Sequence, residues 1–411
     1  MIRKVSVRYA FRSLFRQPRR TILSVIGIGI GVAMALFATS WISGAAKMQI
    51  RAAVESGTGH LRIVPRRWLD KHENTLRIGD WREAEKAARA LSGVDVVTMR
   101  ARGNALLAFG NRTAGVEMVG VEPETEKQLS RIVQRAQLEG RYLEPNDSGK
   151  VVIGRVLAER LDVALDDELY VTLSGRDGMR SAMLVIAGLL DTGTTDIDSS
   201  FCHVTLDELN KITGYEGPGE ITLLLKNHQQ LQDLKTELVD KIPPDSAVMT
   251  WRDINPSFAA GIESDRAFTK ILIVIIVIVV ALGIAGAQLT AILERRHELA
   301  ILTALGMKGR QLISLIVIEA CIVGLGGAVT ALLFGGAAAY QLATKGVDLA
   351  TFMGEDFSFG NILFDPTVYG DFGPWLVWYS LVIAEAATIV ASLYPAWLAV
   401  KTNPADSLRT V

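Results

Sequence analysis

Cysteine is nearly absent. Only Cys202 and Cys321 occur in 411 residues, and the second lies inside an apolar run, so a disulfide framework is excluded and no bridge between the two is expected. Charge of one sign is not in excess either. The 43 Lys and Arg stand against 44 Asp and Glu, and a net charge of −1 gives no global field pointing to nucleic acid. A phosphate-binding G-x-x-x-x-G-K-[ST] string is also lacking, because Gly149-Lys150 has neither the upstream Gly nor the following Ser or Thr. The histidines at 60, 72, 203, 228 and 297 are scattered, and HELAI at 297–301 has no second His, so the zinc-protease pattern fails. The string DTGTT at 191–195 resembles an aspartic-protease motif, but that chemistry needs two carboxylates sharing a proton, and no second copy exists. Asp196 and Asp198 nearby lack the glycine and terminal Glu of a calcium loop, and a solvated turn is expected there. No catalytic and no metal site is expected.

What the chain has is apolar sequence. Hydrophobic residues make up 49% and charged residues 21%, too apolar for a typical soluble protein and too charged for a pure membrane bundle. A spanning helix needs about 20 mainly apolar residues. Four segments qualify: 21–43, 269–293, 312–343 and 375–399. The first is too long and too rich in glycine for a cleaved signal, so a retained anchor is expected.

Lys and Arg near the spans set the expected orientation. Residues 1–20 hold seven Arg or Lys, among them Arg3, Lys4 and Arg20, and no acid. They read as a basic amphipathic helix lying along the inner membrane face, its arginines near anionic headgroups. The 294–311 segment is basic too, whereas 344–374 carries Asp348, Glu355, Asp356, Asp365 and Asp371 against Lys345 alone. Both termini, including a tail at 400–411, are therefore expected in the cytoplasm, and 44–268 outside.

The expected fold class is a membrane protein with four transmembrane helices and a large mixed α/β external domain between the first two. Strands are expected at LRIVP, VDVVTMR, NALLAFG, GVEMVGV, KVVIG, ELYVTL, AMLVIAGLL and EITLLLK. Helices are expected at DWREAEKAARALSG, ETEKQLSRIVQRAQLEG, VLAERLD, TLDELNKITG and HQQLQDLKTELVDKI. Helical stalks at about 44–56 and 251–270 would tie this domain to the spans.

Between spans two and three stands ERRHELAILTALGMKGRQ, residues 294–311, twice the length a simple turn needs. On a helix, Leu299, Leu302 and Thr303 or Gly306 share a face and Arg295 can pair with Glu298 at i,i+3. Gly306 and Gly309 would end the helix and let the chain turn back. A charged helical foot on a span that leads to the external domain suits the reception of a push from a cytoplasmic partner. An inert connector is the plain alternative.

Within the membrane, Gly27 and Gly31 make a small-xxx-small pair suited to close helix packing. Glu319 and Glu385 are costly in hydrocarbon. A bond to a neighbouring helix or the headgroup region is the favoured reading, with a proton or substrate site at Glu385 as the alternative.

The 294–306 stretch resembles the E-R-R-x-E-[IL]-x-[IL]-L-x-A-[LI]-G segment of the MacB/FtsX/LolCE-type permeases of ABC transporters. The match runs through Glu294, Arg295, Arg296, Glu298, Leu299, Ile301, Leu302, Ala304, Leu305 and Gly306. RYAFRSLFRQPRRTILSVIGIGIGVA, VVIGRVLAERLDVALDDELYVTL, IAGLLDTGTTDIDSSF and YPAWLAVKTNPADSLR are similar to the family's first span, external core and C-terminal end. Thr303 stands where the family often has Arg, and Met307 where it often has Ala.

The resemblance implies a coupling helix that docks into an ABC ATPase, two copies of that ATPase, and a second permease copy or paralogue. Gly27 and Gly31 would then lie at the dimer seam. ATP and magnesium would be bound by the partner ATPase, this chain binding no cofactor itself. The location implied is the bacterial inner membrane with the large domain in the periplasm. The work implied is release of lipoproteins or other lipid-anchored cargo, with a periplasmic carrier or adaptor as a further implied partner. Alternatives are efflux of amphiphiles or peptides with an outer-membrane partner, and an FtsX-like regulator of an external hydrolase.

Overall fold

A computed structural model of the chain describes residues 18–71, 73–227, 230–349, 358–359 and 362–401. Most of the expected amphipathic helix at 1–20, nearly all of the tail at 400–411 and part of the 344–374 loop lie outside the described residues. Contacts divide the chain into two units. One comprises Met1–Ala46, Gly261–Val347 and Val368–Val411, the other Lys47–Ala260 and Asp348–Thr367.

Among the described residues four helices are long and apolar enough to cross a membrane. We label α1 Pro18–Ala53, α2 Pro256–Glu294, α3 the short Arg296–Ala304, α4 Gly309–Ala331 and α5 Trp375–Lys401. A π-helical turn, Leu332–Gly336, carries α4 on into a last helix, Ala337–Lys345. Within the membrane unit Ile28, Val32 and Leu36 of α1 pack with Val323, Ala328 and Ala331 of α4 and with Ala384, Ala387 and Ala391 of α5. The alanines of α4 and α5 let the aliphatics of α1 approach closely, because dispersion, not water release, holds helices together in lipid. At the far end Ser40 Oγ donates to the Asp371 carbonyl at 2.9 Å, and the Asp371 N–H returns a 2.9 Å bond to the Ser40 carbonyl.

The external unit is built on ten strands: β1 Leu61–Pro65, β2 Val94–Phe109, β3 Arg112–Val121, β4 Gln137–Gly140, β5 Lys150–Gly154, β6 Glu168–Gly175, β7 Gly178–Asp191, β8 Cys202–Thr205, β9 Glu220–Leu225 and β10 Ser246–Thr250. Their order is β10-β1-β9-β2-β3-β8-β5-β7-β4, and β6 pairs with both β2 and β7. Strands β2, β3, β8, β5, β7 and β6 thus close a ring. Alternate residues from it, such as Leu107, Met118, Ile153, Val171 and Leu184, fill one continuous core. Helices Arg155–Leu161 and Leu206–Thr213 pack on that core. The second is capped at its start by Thr205, whose Oγ1 accepts from the Glu208 N–H, and ends at the left-handed Gly214.

Two sequence expectations change here. VDVVTMR and NALLAFG are one strand, because every residue from Arg100 to Phe109 has a partner on β3 and the Gly103 break is bridged. ETEKQLSRIVQRAQLEG is not one helix. Extended Ser130 splits it into Pro123–Leu129 and Arg131–Arg135, and its end pairs with β7 as strand β4. Strands β8 and β10 were not expected, since four or five residues without alternation give no periodic signal.

Residues Ile362–Asp365, from the loop between spans three and four, fold into the external unit. Ile362 and Phe364 pack on Ala52 and Ala53, the Leu363 N–H donates to Ser56 Oγ at 3.0 Å, and Asp365 pairs with Arg131 and Arg135.

Candidate coupling site

Helix α2 ends at Glu294, Arg295 breaks the helical geometry at φ −102°, ψ 16°, and α3 resumes at once. The i,i+3 pair is present, with Arg295 Nε donating to Glu298 at 3.3 Å. The same guanidinium also reaches Glu319 on α4, at 3.2 and 3.5 Å. Both partners are mostly covered, the Arg295 side chain 16% exposed and that of Glu319 18%. Glu319 is therefore bonded to a neighbouring helix. One residue earlier, Glu294 accepts from Arg20 of α1 at 3.2 Å.

The apolar side of α3 is buried within the same unit. Leu299 packs with Leu312 and Ile316 of α4 and with Ala396 and Ala399 of α5, while Leu302 and Met307 close the edge. The opposite side presents Ile301 at 43% and Leu305 at 80% exposure. Arg296 is partly covered and Glu298 is drawn toward Arg295, so the face left for a partner centres on Ile301 and Leu305. Gly306, at φ +95°, ends the helix with its N–H on the Thr303 carbonyl. Gly309 does not share that task. It is the first residue of α4, where a Cβ would stand 2.7 Å from Val400 Cγ1.

The glycines of α1 are used differently from the expected pair. A Cβ at Gly31 would meet Val280 Cγ2 of α2 at 2.1 Å, and one at Gly29 would meet Thr330 Cγ2 of α4 at 2.6 Å, whereas nothing lies within 4 Å of Gly27. Gly31 and Gly29 are packing glycines inside the chain, on nearly opposite sides of α1, so of the expected pair Gly31 is taken up by α2 and Gly27 is left open. Glu385 faces α4, where its Oε1 would lie 3.2 Å from a Cβ placed on Gly324.

The external unit holds a charged cluster that the sequence did not disclose. Arg100 forks onto Glu126 at 2.8 Å through both Nε and Nη2, each side chain 2% exposed. Arg62 pairs with Glu220 at 2.8 Å, and Arg102 bridges Glu117 and Glu220 at 2.6 and 3.2 Å. Arg62 also donates to the Gly57 and Thr58 carbonyls and Arg100 to Gly57, so two buried cations stand at the carbonyl end of the helical segment Val54–Thr58. Burial alone would raise the Glu220 carboxyl, but Arg102, Arg62 and Arg100 hold it down to about 2.

The cluster lines a cavity of about 390 Å³ that also touches His203. Burial and the nearby Arg100 and Arg102 keep His203 well below its ordinary value, and its Nδ1 lies 2.9 Å from the Tyr142 hydroxyl. Burial pushes the neighbouring Cys202 thiol up to about 12. Neither side chain is set up as an acid, base or nucleophile at neutral pH.

The turn after β7, expected to be solvated, is instead partly buried. Asp198 is 2% exposed and accepts from the Thr192 N–H and hydroxyl. Among the described residues no group of three His, Cys, Asp or Glu is placed to hold a metal ion.

Known proteins bear on this arrangement. A family model for the MacB-like periplasmic core domain matches residues 21–241, and one for the FtsX-like permease C-terminal matches 270–404. The chain is 22% identical to the lipoprotein-releasing system transmembrane protein LolC of Xylella fastidiosa, over 94% of this chain and 92% of the relative. It is 24% identical to the LolE protein of the same kind of system from Haemophilus influenzae, over 94% and 93%. The macrolide export ATP-binding/permease protein MacB 1 of Yersinia pestis is 22% identical over 97% of this chain, which spans 59% of that relative.

Proposed function

The chain belongs to the permeases that join a MacB-like periplasmic core domain to an FtsX-like C-terminal segment. It is an ABC transporter permease of LolC, LolE and MacB type, and from that premise we propose that it couples a separate cytoplasmic ATPase to the release of lipid-anchored cargo, lipoproteins foremost, outside the membrane. In this reading two ATPase copies serve two permease chains, the second a copy or a paralogue, and ATP with magnesium is held by the ATPases. The α3 foot receives their motion, with both termini in the cytoplasm.

The observation that carries the reading is the foot itself. Helix α3 follows span two almost without interruption, is seated by Leu299, and still exposes Ile301 and Leu305. An inert connector has no use for two large exposed aliphatics. A groove on a partner does. Lipoproteins are favoured as cargo by the two relatives named for their release, which align with this chain over more than nine-tenths of its length. Macrolide-type efflux is the second reading, favoured by the MacB relative at comparable identity.

Mass spectrometry of the gently solubilised complex captured through this chain tests the proposal. An ATPase in equal amount together with acylated lipoprotein is the expected result. An ATPase with a periplasmic adaptor and no lipoprotein would replace release by efflux. Absence of any ATPase would remove the coupling role altogether.

A further inference from the structure

The residues the sequence offers for docking do not all face outward. Arg295 stands at the single break between span two and the foot, where a hinge would form if nothing spanned it. Its guanidinium is committed to Glu319 on α4, 3.2 Å away, and to Glu298 within the foot, 3.3 Å away. Around this pair the crevice wall is largely apolar, with Ile284, Ile292, Leu315 and Val323 among its residues. A carboxylate in such a setting is expensive without its cation, so the pair holds its geometry firmly. Leu299, one turn further on, is seated against α4 and α5. Ionic and apolar contacts thus fix the foot to span three at two points about one helical turn apart.

We propose that Arg295 and Glu319 are positioning residues that lock the angle of the foot against span three, so that a displacement delivered to α3 moves α4 and α5 with it instead of being absorbed at the break after span two. This rests on the coupled-permease reading for its use, though the lock belongs to the chain alone. It also removes Arg295 from the docking surface and leaves that surface to Ile301, Leu305 and their neighbours.

The test uses the full chain in lipid nanodiscs with spin labels at exposed His297 on α3 and exposed Leu325 on α4. The distance distribution is compared for wild type, Arg295→Gln, Glu319→Gln and the exchanged pair Arg295→Glu with Glu319→Arg. A narrow wild-type distribution that broadens in both single variants and narrows again in the exchange supports the lock. Single variants as narrow as wild type overturn it. If a single variant fails to assemble, the exchanged pair decides, since a merely structural role for either residue predicts no recovery. Recovery of the ATPase with each variant is the second readout. Loss of the ATPase from Arg295→Gln but not from Glu319→Gln would make Arg295 a docking residue and overturn the proposal. A wild-type chain that recovers no ATPase sinks the permease reading, while the distances still judge the lock.

Discussion

The two units differ in how many large aliphatic side chains they leave uncovered. In the external unit Leu107, Ile153, Leu157 and Leu161 are fully buried within the strand ring and its helices. In the membrane unit Ile271, Val279 and Leu282 of α2 are 59%, 63% and 68% exposed, and Trp378 of α5 is 70% exposed. The inside of the membrane unit mixes a few aliphatics, Ile28, Val32 and Leu36 among them, with many alanines and with packed glycines. One unit is held together by removing apolar surface from water. The other leaves that surface to lipid and relies on close backbone approach. The worth of a large aliphatic therefore depends, in the membrane unit, on whether it faces a neighbouring helix or lipid.

A matched pair of truncations tests this most strongly. Leu157→Ala removes a fully buried side chain and is expected to cost ~2–5 kcal/mol. Leu282→Ala removes one that is mostly uncovered and is expected to cost less than about 0.5 kcal/mol. Denaturant unfolding of the full chain in detergent, followed by proteolysis at each step, reads both. Equal losses would mean that α2 is packed against protein on the face that here is open.

Glycine reverses the emphasis. Gly31→Leu forces a side chain into Val280 and is expected to destabilise the bundle by ~1–3 kcal/mol. Gly27→Leu meets open space and is expected to leave the stability of the single chain unchanged. Thermal unfolding of both variants as monomers checks the contrast. If Gly27→Leu instead weakens association of two permease chains, the open glycine lies at a seam after all, without Gly31.

These glycines also show where sequence reasoning stops. Hydropathy along the chain discloses four spans, because the bilayer selects for composition over a fixed length. Periodicity and turn residues likewise disclose most strands and the foot. Which side of a helix meets which neighbour is another matter. Gly29 and Gly31 were readable as small residues, but only the positions of Thr330 and Val280 decide that these two are the contacts and Gly27 is not. Arg100 and Arg102 alternate with apolar residues on β2, a pattern that normally marks a wet face. The helix Pro123–Leu129, placed by distant contacts, brings Glu126 over Arg100 and turns that face into an interior. Arg295 matched a family segment as a surface charge, and Glu319 was noted as an isolated acid. Nothing in the sequence announces that two residues 24 positions apart pair.

The smallest expected effect lies in the loop that joins the external unit. Asp365 is partly buried, which would raise its carboxyl, but hydrogen bonds from Arg131 and Arg135 prevail and hold it below the ordinary value. Its folded pKa is therefore lower than its unfolded one, so the pairing contributes fully above the unfolded carboxylate value near pH 4 and is lost as pH falls through the folded value. For a partly exposed group with two arginines the contribution is about 1 kcal/mol. Asp365→Asn is thus expected to lower stability by about that amount at pH 7 and to approach wild type in acid. Unfolding curves of the two chains at neutral and acid pH, in the same detergent, give the comparison. A difference that stays constant as the carboxylate is protonated would show that the loop is held by Ile362 and Phe364 on Ala52 and Ala53, with the charges adding nothing.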